Sequence, residues 1–158
     1  MKLKMVISGF ALALVPIAGY AAVSLALNSG VASVSASERG RELRVTKECS
    51  EWKGAAGDFC TITSSNLPRI KVGSRVYYDQ PAGIPAGLLD SNVVLDAGNG
   101  NRAVGRCTLD LATGAGLCTF SDGTGRLSGF SARVRVSPPS EDEPDWRWNG
   151  TYSFSPVD

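Results

Sequence analysis

The sequence predicts an all-β domain whose antiparallel strands form a sandwich or, by preference, a barrel, and three observations lead there. The first is period-two patterning. In Phe130-Ser-Ala-Arg-Val-Arg-Val-Ser137 the residues Phe130, Ala132, Val134 and Val136 share one face, while Ser131, Arg133, Arg135 and Ser137 share the other. Trp146–Phe154 repeats the pattern, with Trp146, Trp148, Tyr152 and Phe154 opposite Arg147, Asn149, Thr151 and Ser153. Side chains alternate across a strand, so each run describes a sheet with one apolar and one wetted face. Further strands are expected at Phe59–Ser65, Ile70–Asp79, Asn92–Ala97, Ala103–Leu111 and Leu117–Phe120. The second observation is the punctuation: Pro81–Pro85, Asn99-Gly100 and Asp122-Gly-Thr-Gly125 are turn chemistry between these runs. The third is the lack of any helical period beyond the first 36 residues. A barrel is preferred over a sandwich because closure leaves no strand edge to protect.

The start of the chain concerns address. Lys2 and Lys4 precede an uncharged apolar stretch from Met5 to Leu27, and Val34-Ser-Ala-Ser37 has the small residues of a signal-peptidase site. Residues 1–36 are therefore expected to be a signal peptide. Cleavage after Ala21 and retention as a membrane anchor are the alternatives. Either way the remainder lies outside the cytoplasm, secreted or periplasmic. Residues 37–58 are expected to form an N-terminal segment with a disulfide-closed loop, and residues 59–158 the barrel domain. Without Lys2 and Lys4 there remain 14 basic and 15 acidic side chains. That balance offers no electrostatic reason for a nucleic-acid or anionic-membrane partner.

The four cysteines form two like-spaced pairs, Cys49 with Cys60 and Cys107 with Cys118, and neither has zinc-ligand spacing. In an oxidising compartment they read as disulfides. Cys107–Leu111 and Leu117–Phe120, joined by Ala112–Gly116, place two sulfurs across a hairpin, which selects Cys107–Cys118 and leaves Cys49–Cys60 to close a loop around Trp52. The chain has no histidine. A Ser-His-Asp or Cys-His arrangement is excluded, and no metal centre is expected.

Other motifs have plain structural readings. Gly123-Thr-Gly-Arg-Leu-Ser-Gly129 lacks the spacing and the following helix of a dinucleotide loop, so its glycines are expected in turns. Glu141-Asp-Glu-Pro-Asp145, among prolines, reads as a solvated connection in preference to a calcium loop. The aromatic face of Trp146, Trp148, Tyr152 and Phe154 has two readings: packed core, or the wall of an apolar pocket with polar tips from Tyr77, Tyr78 and Asn66.

The runs Gly105-Arg-Cys-Thr-Leu-Asp110, Gly116–Phe130 with its Gly-Thr-Gly turn, and Trp148-Asn-Gly-Thr-Tyr-Ser-Phe154 resemble the allene oxide cyclase barrel superfamily, which includes the dirigent proteins. The resemblance spans residues 59–155. It implies an eight-stranded antiparallel barrel, often oligomeric, working without metal or organic cofactor. It also implies an interior that binds a small apolar molecule, or steers cyclisation of a reactive intermediate. The family's Glu-x-Asn pair falls on Ser64 and Asn66, with Ser64 replacing the Glu. Candidate ligand-binding residues are thus Ser64, Asn66, Tyr78, Trp146, Trp148, Tyr152 and Phe154. Three functions follow as expectations: a non-catalytic binder of a small apolar molecule, a cyclase or isomerase, and a structural module with a solid core.

Overall fold

The structure, a computed structural model, describes residues 40–83 and 86–155; the expected signal peptide lies outside them. It contains eight strands: β1 Arg41–Glu48, β2 Phe59–Ser65, β3 Arg75–Tyr78, β4 Leu88–Asp96, β5 Arg102–Asp110, β6 Gly116–Gly123, β7 Phe130–Ser137 and β8 Trp146–Phe154. Each pairs antiparallel with its neighbour in sequence, and β1 pairs with β8 to close the barrel. The helical structure among the described residues is one 3-10 turn, Gly125–Leu127. No helix there is long and apolar enough to cross a membrane.

The strands at 130–137 and 146–154 lie where their alternation placed them. The barrel begins earlier than expected, however. Arg41–Glu48 is one of its strands, so residue 59 is not its boundary and the segment 37–58 is not separate from it. Leu43 and Val45 face inward, 1% and 2% exposed, as period-two spacing requires. The expected strand 70–79 is shortened to Arg75–Tyr78, because Gly73, at φ 87°, turns the chain before it. Strand β4 starts at Leu88 and not at Asn92, and inward-facing Ser91 interrupts its apolar face. The buried Ser91 hydroxyl is satisfied: it donates to the Asn92 carbonyl and accepts from the Gln80 amide.

A meander puts the connections after β1, β3, β5 and β7 at one end and the others at the opposite end. The latter is plugged. Leu67, Ile70 and Leu127 are buried there, and Arg69 lies over the Phe154 ring while donating to the Arg126 carbonyl. The glycine run before β7 makes this plug. Gly125 (φ 58°) opens the 3-10 turn that carries Leu127, and Gly129 (φ 71°) bonds to Ser155 so closely that a Cβ would meet the Ser155 carbonyl at 2.4 Å.

The opposite end carries both disulfides, Cys49–Cys60 and Cys107–Cys118. Cys107 and Cys118 are directly opposed residues of β5 and β6, as the hairpin register predicts. The two bridges fit an oxidising compartment.

Candidate functional site

Most of the interior is solid. Phe154, Tyr152, Phe130, Phe120 and Trp148 form a connected series of tilted or edge-on rings, with neighbouring centroids 5.4–6.3 Å apart. Trp148 is 1% exposed. The aromatic face of β8 is therefore packed core over most of its length, and Trp148, Tyr152 and Phe154 are not among the residues lining the recess at its other end.

The exception lies at the disulfide end. Lys47 is the third inward residue of β1, in phase with Leu43 and Val45, and it is 2% exposed. Its Nζ donates to the Tyr78 hydroxyl oxygen at 2.5 Å. The same nitrogen lies 5.2 Å from the Tyr78 ring centroid and 4.9 Å from that of Trp148. The Tyr78 O–H also faces Cys60 Sγ, at 3.8 Å, where it is the donor because a disulfide sulfur carries no hydrogen.

Among the described residues no carboxylate reaches the amine. On its own strand Glu42 pairs with Arg44 and Glu48 accepts from the Ser50 amide, both on the outside. On β8 Arg147 turns outward to Glu143. Strand β2 has no acidic residue, and the exposed Asp90 pairs with Arg106. Among the described residues Tyr78 is the titratable group that faces Lys47. Burial without a counter-charge pushes the Lys47 ammonium down to about 7, and burial raises the Tyr78 hydroxyl so that it stays protonated.

Beside the amine is a half-open recess of about 20 Å³, the room of a single water. Its walls are apolar, with Trp52, Leu89, Leu109, Val136 and Trp146 among them. Two more donors are buried in this end of the barrel: the indole N–H groups of Trp52 and Trp148 find no acceptor among the described residues. Hydrogen-bond donors thus outnumber acceptors, and the recess suits an oxygen acceptor attached to an apolar body.

Of the seven candidate residues, Tyr78 and Trp146 line this recess, and the Trp148 ring lies against the Lys47 amine. Ser64 and Asn66 do not reach the interior. A bulge between β1 and β2 sets Thr46 opposite Ser64 but Lys47 opposite Ile62. Thr63 and Ser64 therefore both turn outward and meet the Thr46 hydroxyl. Asn66 binds β1 from outside, accepting from the Arg44 amide and donating to the Glu42 carbonyl. The positions that the family resemblance assigns to catalysis bring no polar group inside. Tyr77 also points outward, against Phe59.

Lys47 is not among the sequence candidates because residues 37–58 are expected to precede the barrel, whereas β1 is one of its strands. The signal was present, since Leu43, Val45 and Lys47 keep one phase.

Compared with family models, with curated proteins and with solved structures, the chain matches none.

Proposed function

We propose that this protein works outside the cytoplasm as a binder of a small apolar molecule whose head is an oxygen acceptor, a carbonyl or a carboxylate, held at the disulfide end of the barrel. The observation that carries this reading is Lys47. A barrel built only for structure gains nothing from burying a lone amine, which costs several kcal/mol when charged and leaves donors unpaired when neutral. A ligand oxygen would satisfy those donors. The head enters the recess beside Lys47 and Tyr78, and the tail lies across the apolar rim of Trp52, Leu109 and Trp146. The volume admits a head group and no more, so the ligand is held by one end.

All three tryptophans, Trp52, Trp146 and Trp148, belong to this end and report on it. Titration with octanoate is expected to give a saturable change in tryptophan fluorescence. Octylammonium, with the same tail and a donor-only head, binds at least about tenfold more weakly, a difference of about 1.4 kcal/mol. Equal response to both, or no saturable response to octanoate, would favour the solid structural module.

A further inference from the structure

We infer that Lys47 is a nucleophile that captures a small aldehyde or ketone as an imine at the disulfide end of the barrel. The inference rests on the recess being the binding site proposed above and names the chemistry of its head group. Four features of the geometry carry it. The amine is held inside the barrel, 2% exposed, yet it borders the recess. Among the described residues no carboxylate is placed to keep it as an ammonium ion. A hydroxyl sits 2.5 Å from the nitrogen, close enough to pass protons to and from it. The walls of the half-open recess are apolar and leave room beside the amine for about one water, which limits hydrolysis of the product.

The low proton affinity that burial gives Lys47 adds to this, because it leaves a substantial share of the amine with a free lone pair at neutral pH. Tyr78, on β3, is the titratable group facing it. Glu42 and Glu48 on β1, Arg75 on β3, Asp90 on β4, Arg106 on β5, Arg133 and Arg135 on β7 and Arg147 on β8 are directed away from the interior.

The step balances without a further reagent. The Nζ lone pair attacks the carbonyl carbon, a C–N bond forms, and the C=O π electrons move onto oxygen. A proton passes from nitrogen to that oxygen, giving a carbinolamine. The nitrogen lone pair then expels the hydroxyl as water, with a proton delivered by Tyr78, which regains one from the nitrogen. Amine and carbonyl become imine and one water, and Tyr78 ends as it began. The roughly 20 Å³ beside the nitrogen matches the oxygen that enters and the water that leaves. A short unbranched aldehyde fits best, because its tail must pass between Trp52 and Trp146.

Reductive trapping tests this. The purified protein, disulfides intact, is incubated with butanal and cyanoborohydride at pH 7 and mapped by peptide mass spectrometry. Beyond the first four residues the chain has three lysines, and Lys53 and Lys71 are exposed. Butyl addition is expected at Lys47 about tenfold faster than at Lys53 or Lys71, despite its burial. Lys47→Met removes that adduct, and if this variant does not fold the wild-type map carries the test alone. Modification of Lys53 and Lys71 with Lys47 untouched would overturn the inference. Octanoate binding that persists alongside an untouched Lys47 overturns imine capture and leaves the binding reading standing. Absence of both overturns the two together.

Discussion

A lysine in a barrel interior is a residue set against its surroundings. Its four methylenes pack as well as those of a methionine, but its nitrogen has exchanged water for one phenol oxygen and two ring faces. The consequence is a definite pH dependence of stability. Lys47 holds its proton with a pKa of about 7 when folded, against about 10.4 in the unfolded chain. Below pH 7 both states are charged, and the full burial cost, roughly 4–5 kcal/mol, weighs on the fold. Between about pH 7 and pH 10 the unfolded chain binds more protons, so stability rises with pH. Urea unfolding from pH 6 to pH 9 is expected to show this rise, and Lys47→Met to remove that part of it. At pH 6 the methionine variant should be more stable by roughly 2–4 kcal/mol, the remainder being offset by the lost bond to Tyr78. Parallel profiles for the two proteins would mean that Lys47 is not the group responsible.

At the scale of the element, alternation was legible and register was not. The faces of β7 and β8 follow from their own residues, so these strands could be read in isolation. Whether Ser64 points in or out depends on a bulge, and a bulge is a relation between β2 and β1 that neither sequence carries alone. Strand β1 is obscure in the sequence because Arg41-Glu42 and Lys47-Glu48 bracket its two apolar residues with charge. The alternation marks β4 only from Asn92 because Ser91 sits on its buried face. The aromatic run of β8 was legible as an inward face, but whether that face is filled depends on Phe120 and Phe130 across the barrel. They fill it. Trp148→Ala is therefore expected to leave a cavity and cost about 3–5 kcal/mol in denaturant unfolding, the range for a buried aromatic. A cost near 1 kcal/mol would mean that the ring borders open space.

For the whole molecule, closure assigns different work to the two ends. One is plugged by Leu127, Leu67 and Ile70, and the aromatic series fills the middle. The other is braced by two disulfides and holds the amine. The fold class was legible because closure, turns and paired cysteines are all local or periodic signals. The chemistry was less so, since Lys47 and Tyr78 are separated by 31 residues and meet only when β1, β2 and β3 lie side by side. Closure also removes the free edges through which barrels of this size would otherwise pair. The imine capture and the pH profile proposed for this protein both depend on that one end holding an amine whose proton affinity lies well below the ordinary lysine value. The direct measurement is an NMR titration of Lys47, assigned by comparison with Lys47→Met in protein labelled at the lysine side chains. The account predicts a Lys47 midpoint near pH 7. A midpoint near 10.4, the ordinary lysine value, would contradict it.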